Sequence, residues 1–380
     1  MRTIKPHYFD DFVCVADKCP DTCCEGWQIV IDEDSLERYS EEKGGYGREL
    51  ADRIDWQESS FRQYNGRCAC LDENNLCRLV LEKGEEYLCD TCHRYPRHEE
   101  EFEGQREWSL SLSCPIAAEM ILLREEPLEF VIEEDEEPDP LEEEFEDFDF
   151  LLFTKLEDAR EVMIRMAQDR RFSMRERMSR ILELGKAMQD ALDAEQLYEM
   201  DEIISRAAEN YEKSNIEVKE ISTKVHETKE FRKQKECFVI LTKLERLREN
   251  WQEVLTETEQ SLYDSEEEYY KIREAFEKDF GFAGKFYKEW EAFLENLFLF
   301  FLFTYFCGAV YDDWIYSKVA FAVFSVNQIE EFIMCRWHLA DKKIEQSDWV
   351  SFAYRYAREV EHSDENLNML EEWLMEERPI

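Results

Sequence analysis

The sequence predicts a mainly α protein: a small, loop-rich cysteine domain that binds a metal or cluster, followed by an all-α helical domain. Three observations carry that expectation. Residues 151–378 contain no proline, so nothing in the rear forces a helix to stop. Ten of the thirteen cysteines lie at or before Cys114 and seven of the eight prolines at or before Pro140, which leaves a punctuated front. Hydrophobic residues make up 44% of the chain and aromatics 14%, whereas an acidic disordered chain is poor in both.

Residues 1–124 form the expected cysteine domain. Ser35 and Tyr39 belong to a short helix that the run Gly44-Gly45-Tyr46-Gly47 breaks, and residues 108–112 are strand or extended chain. Ser113-Cys114-Pro115 opens a helix with proline in its first turn, followed by Ile116, Met120 and Leu123 at helical spacing. Residues 125–150 read as an acidic linker, because 15 of the 25 residues from Glu125 to Asp149 are acidic and three are proline. The interleaved Phe145, Phe148 and Phe150 predict that its end docks back onto the protein.

The helical domain spans 151–380. Val162, Met166, Met178, Ile181, Leu184 and Met188 recur at helical spacing. A helix follows within 219–248, with Ser222, Thr223 and Thr228 as alternative N-caps. Gly281 and Gly284 mark a turn over 280–286. A core hairpin of helices over 290–311 and 316–337 comes next, then helices over 349–361 and 365–376 with Ser363-Asp364 as the cap between them.

Forty-seven basic residues against 91 acidic ones leave 47 − 91 = −44 charges, which excludes general electrostatic binding to nucleic acid or to an anionic membrane. The most apolar stretch, 297–310, has 14 residues and falls short of the roughly 20 that span a bilayer, so it reads as a buried core helix without membrane insertion. An uneven cysteine count and an N-terminus without an apolar leader favour the reducing cytoplasm, and metal binding over disulfides.

The front presents Cys14, Cys19, Cys23 and Cys24, then Cys68, Cys70 and Cys77, then Cys89 and Cys92, then Cys114. Closely spaced thiols bring two or three sulfurs of one loop to a single ion, and soft thiolates select zinc or iron–sulfur over magnesium or calcium. The supply exceeds the four ligands of one structural zinc, so one cluster with spare thiols and two metal sites both remain open. The Cys-x3-Cys-x2-Cys signature of radical chemistry is absent, since Gly26 follows where the third sulfur belongs. His93 and His98 read as polar loop residues.

Several runs resemble the flagellin lysine N-methylase family. They are Tyr8-Phe9-Asp10-Asp11-Phe12, Cys23-Cys24-Glu25-Gly26-Trp27, Leu88-Cys89-Asp90-Thr91-Cys92-His93-Arg94-Tyr95-Pro96-Arg97 and Ser109-Leu110-Ser111-Leu112-Ser113-Cys114-Pro115 in the front. In the rear they are Val310-Tyr311-Asp312-Asp313, Tyr316-Ser317-Lys318 and the stretch from Arg358 through His362 to Asn366. The likeness covers nearly the whole chain, and the front is also similar to zinc- or iron-chelating domains built on Cys-x3-Cys-Cys. It implies methyl transfer from S-adenosylmethionine to lysine side chains of flagellin, with an iron–sulfur cluster, 4Fe-4S, as cofactor and zinc as the alternative metal. It also implies the ligand set: Cys19, Cys23, Cys24, Cys68, Cys77 and Cys92 match the chelating pattern, Cys89 and Cys114 the narrower methylase pattern, and Cys70 falls at an apolar position.

The sequence has no Gly-rich loop after a first strand, so S-adenosylmethionine, if bound, is held by another route than a Rossmann turn. A lysine amine attacks a methyl group only when neutral, against a reference pKa of about 10.4. Carboxylates attract the lysine but raise that pKa, and dry aromatic walls lower it. Tyr311, Asp312, Asp313 and Tyr316 are candidates for such a mouth, with a turn between two core helices as the plainer reading. His362 with Asp364 is an acid–base candidate, with a helix start as the plainer reading. The rival function is non-enzymatic: an acidic helical scaffold, stapled by zinc, that holds a basic partner.

Overall fold

Helix starts carry the side chains that local chemistry requires. Asp32, Ser173, Ser265 and Ser363 each accept a hydrogen bond from the backbone N–H three residues on, satisfying donors a helix leaves free at its first turn. The structure is a computed structural model describing residues 1–134, 148–213, 227–378 and 380. The chain opens with strand β1 (Arg2–Pro6) and runs into α1 (Glu33–Ser40), α2 (Gly44–Arg53), the two-residue strands β2 (Ile54–Asp55), β3 (Ser60–Phe61), β4 (Gln63–Tyr64) and β5 (Arg67–Cys68), α3 (Arg78–Lys83) and α4 (Asp90–Arg94). A hairpin of β6 (Arg97–Phe102) and β7 (Gln105–Leu110) precedes α5 (Pro115–Leu122) and β8 (Phe130–Glu134).

The rear is helical, as expected. It comprises α6 (Phe150–Ala167), α7 (Met174–Asp193), α8 (Met200–Lys213), α9 (Glu227–Leu241), α10 (Trp251–Thr258) and α11 (Glu266–Phe280). The closing group is α12 (Tyr287–Tyr305), the single turn α13 (Ala309–Asp312), α14 (Ile315–Leu339), α15 (Gln346–Glu361) and α16 (Asp364–Glu377).

Two local expectations changed, and a third was borne out within a larger sheet. Gly44-Gly45-Tyr46-Gly47 is not a plain break: Gly44, at φ +83, turns the chain sharply and the run becomes the start of α2. The acidic segment holds a strand, since β8 pairs antiparallel with β1 from Pro6↔Phe130 to Arg2↔Glu134. As an edge strand it is held by backbone bonds while its acids stay in water. Finally, the strand around residue 108 belongs to a four-stranded sheet in the order β6-β7-β1-β8, with β1 parallel to β7. Pairing of residues 2–4 with 105–107 is too distant in sequence for local pattern to signal. Phe148 does pack back, against Phe153 at 5.3 Å and Tyr311 at 6.0 Å, while Phe150 is exposed and Phe145 lies outside the described residues, as do Ser222 and Thr223.

Two hydrophobic cores result. The larger joins Tyr8, Phe9 and Phe12, the sheet residues Phe102 and Leu110, α5 and the rear helices. The smaller gathers Ile29, Ile31, Tyr39, Leu50, Ile54, Phe61 and Leu79 around Cys68, Cys70 and Cys89. α12 and α14 run through the large core, and every residue from Leu297 to Phe303 is buried, as for a helix apolar on all sides. Among the described residues, Tyr287–Asp312 is long and apolar enough to cross a membrane, and 83% of its apolar window is buried inside the protein. Gly185 of α7 lets that helix close on α14, because a Cβ there would sit 2.8 Å from Val319 Cγ2.

Candidate functional site

Arginines from the rear grip the loop that carries the first cysteines. Asn366, fully buried at the start of α16, bonds Glu245 and the Glu359 carbonyl, and the Glu359 carboxylate accepts from the Leu247 N–H at 2.9 Å. These bonds position Arg248, which donates to Asp21 at 3.2 Å and to the carbonyls of Thr22 and Glu25 at 3.2 and 2.8 Å. Arg358 of α15, 2% exposed, donates from Nε to the Ser113 carbonyl at 2.7 Å and from Nη1 to Asp21. The cysteine segment and the helical body therefore meet along one seam.

Aromatic rings and hydroxyls line that seam. Trp27 donates to the Cys23 carbonyl at 2.7 Å, and its ring lies 5.2 Å from that of His362. Tyr95 completes the group, 6.0 Å from Trp27 and 6.3 Å from His362 between ring centroids. His362 Nε2 bonds Ser113 Oγ at 2.8 Å, and Ser113 Oγ also meets Tyr95 Oη at 3.0 Å and Ser111 Oγ at 2.7 Å. Burial, with the charges of Arg358 and Arg248, pushes His362 down to about 3, so its imidazole is neutral at ordinary pH.

All thirteen cysteines are free thiols. Cys23 and Cys24 touch at 3.9 Å. On the seam side, Cys19 lies within reach of the charges of Cys23, Cys14 and Arg358, and Cys114 within reach of Cys19 and Cys23. On the small-core side, Cys92 lies within reach of Cys89, Cys24 and Cys68, and Cys77 within reach of Cys68 and Cys23. Cys70 is 2% exposed in the small core, beside Cys68.

Among the described residues, no three His, Cys, Asp or Glu side chains are grouped so as to hold a metal ion. The donor chemistry nevertheless fits a thiophilic group. Four separate segments supply free thiols, and Arg358 Nη2 is buried without an acceptor. A buried guanidinium N–H left so costs about 1–3 kcal/mol, which an anionic ligand set at the seam would recover.

The other sequence candidates lie apart from the seam. Tyr311 is 54% exposed, donates to the Glu101 carbonyl at 2.6 Å and stacks on Phe102. Asp312 accepts from the Trp314 N–H at 2.9 Å and pairs with Lys318 at 2.7 Å, so it serves the start of α14. Asp313 is the left-handed residue ending α13, and Tyr316 is buried, with its hydroxyl on the Ile380 carbonyl at 3.2 Å. His362 faces Ser113 rather than Asp364, and Ser363 caps α16.

Sequence reasoning singled out neither Arg358 nor Arg248, nor the pair Glu361 and Tyr305. Burial pushes Glu361 up to about 8 despite the hydrogen bond from Tyr305, and its Oε1 has no partner. The available signal was that Arg358, Trp27, Tyr95 and Ser113, which the fold brings together, and Glu361 all sit inside the runs quoted above. A pH effect follows. A carboxyl raised in the folded state contributes stability below its unfolded value of about 4.5 and loses it as pH climbs through about 8. Lowered His362 acts oppositely below about 6.5, so the net fall comes between pH 6.5 and 8. Glu361→Gln should flatten that fall by on the order of 3 kcal/mol, read by denaturant unfolding at pH 6 and pH 9. An unchanged pH slope would dismiss Glu361 as its source.

Comparison with known proteins supplies the family context. Residues 160–379 match the family model described as the FliB lysine N-methylase C-terminal domain. The flagellar biosynthetic protein FliU of Salmonella muenchen is 32% identical over 131 residues, which cover 32% of this chain and 78% of that protein. Proteins named lysine-N-methylase from Salmonella choleraesuis (strain SC-B67) and Salmonella typhimurium (strain LT2) are also 32% identical over 131 residues, and the match spans 33% of each. No solved structure matches.

Proposed function

Since this chain belongs to the FliB lysine N-methylase family, we propose that it is a lysine N-methyltransferase acting on flagellin, with S-adenosylmethionine as methyl donor. The observation that carries the reading is the seam, where the matched helical domain supplies Arg358 and His362 next to a loop of free thiols. Cys19, Cys23, Cys24, Cys68, Cys77, Cys89, Cys92 and Cys114 are the residues we assign to hold an iron–sulfur cluster, with zinc as the alternative. Free thiols also suit a cytoplasmic setting. S-adenosylmethionine supplies an electrophilic methyl group when bound.

The chain's own residues do the rest. A substrate lysine must shed a proton before its nitrogen is nucleophilic, and a dry wall of Trp27, Tyr95 and His362 lowers its pKa by denying water to the ammonium form. His362, neutral and bonded through Nε2 to Ser113, adds no positive charge that would repel the incoming lysine. Glu361, bonded to Tyr305 and carrying a free Oε1, is a carboxylate able to hold a proton near neutral pH.

The test is intact-mass analysis of flagellin coexpressed with the protein. Lysines should gain multiples of one methyl increment, and folded flagellin that gains none would sink the proposal.

A further inference from the structure

We propose that Arg358 is a positioning residue of the thiol site, donating an N–H from Nη2 to a metal-bound thiolate of the Cys19–Cys23 loop. This rests on the reading that these thiols hold a metal or cluster.

Two of the three guanidinium nitrogens have an acceptor. Nε is on the Ser113 carbonyl at 2.7 Å and Nη1 on Asp21, which ties Arg358 to the residues on either side of the thiols. Nη2 is buried and has no acceptor. The Tyr354 ring lies under the face of the group, 5.0 Å from Cζ, and offers nothing in the guanidinium plane where an N–H points. Besides Asp21, already held by Nη1 and by Arg248, the anion-forming groups within reach of its charge are Cys19, Cys23 and Tyr95. Tyr95 is already committed to Ser113, so the sulfurs remain as the acceptors.

Arg248 provides the contrast. It grips the same loop but spends its N–H groups on Asp21 and on the carbonyls of Thr22 and Glu25, and so acts on loop position alone. The rear helix thus contributes to the electronic environment of a site whose ligands all come from the front. A charge-assisted N–H on a ligating thiolate stabilises the sulfur lone pairs and raises the energy needed to move charge from sulfur to metal.

The experiment loads the full-length chain with Co2+ and compares the thiolate-to-cobalt charge-transfer band of wild type, Arg358→Gln, Arg358→Lys and Arg248→Gln at equal cobalt content. We expect the band to move to longer wavelength in Arg358→Gln, to be largely restored in Arg358→Lys, and to stay in place in Arg248→Gln. An unmoved band in folded Arg358→Gln overturns the role of Arg358 while leaving the metal reading intact. Should Arg358→Gln fail to fold, Arg358→Met, which also lacks the charged donor, should show the same move to longer wavelength, and an unmoved band in folded Arg358→Met overturns the role instead. A wild-type protein that shows no thiolate band with Co2+ overturns the metal reading itself, and this inference with it.

Discussion

Cys23→Ala is expected to strip bound metal from the purified protein and to cut methylation of coexpressed flagellin by about 100-fold or more. Cys23 stands where the two groups of sulfurs meet: 3.9 Å from Cys24, with Cys19, Cys77 and Cys114 all within its electrostatic reach. Its carbonyl also anchors the Trp27 indole at 2.7 Å, and that backbone contact survives the substitution, so the loss should be one of sulfur and not of loop shape. The control is Cys70→Ala. Cys70 is equally thiol-rich in surroundings but packs as a small apolar residue of the front core, so its removal should cost about 1 kcal/mol and leave metal content unchanged. Elemental analysis and flagellin mass, measured on both variants, decide the matter. Full metal content in Cys23→Ala, or its loss in Cys70→Ala, would overturn the ligand assignment.

Arg177→Met should be the most destabilising single change in the helical body, at about 3–5 kcal/mol in denaturant unfolding. Arg177 of α7 is 0% exposed, and its guanidinium ties α7 to α12 through Glu295 at 2.7 Å and Glu291 at 2.8 Å while also bonding the Ala167 carbonyl. Glu295 is itself 1% exposed, so losing Arg177 strands a carboxylate in the core, with Arg170 as its remaining partner. The test of that cause is the double variant. Glu295→Gln added to Arg177→Met removes the stranded charge and should recover part of the loss, whereas additive losses would point to packing alone.

How far the sequence reached differs between front and rear. The proline-free stretch, the Ser363 cap and the 280–286 turn were legible because helices are coded by neighbours three and four residues apart. The apolar stretch over 297–310 was rightly read as core: the helix that contains it is long and apolar enough to span a bilayer, but 83% of its apolar window is buried inside the protein. The sheet was not legible: β1 is a five-residue strand whose partners lie about a hundred and more residues away, and nothing local distinguishes it from a loop. The Gly44 run misled because glycine serves a sharp entry to a helix as readily as an exit.

The site divides in the same way. Cysteine spacing concentrates ten thiols into residues 14–114, and that required no structure to see, because proximity within one loop is set by chain connectivity. The candidates Tyr311, Asp312, Asp313 and Tyr316 looked suited to a lysine mouth by residue type, yet Asp312 is bound to Lys318 and to the start of α14. What composition and spacing leave open is which distant charge faces those thiols. Arg358 and Arg248 reach the Asp21–Glu25 loop across more than two hundred residues of chain. Such a contact depends on how α15, α16 and the loop through Glu245 pack, and no periodicity in the sequence encodes it.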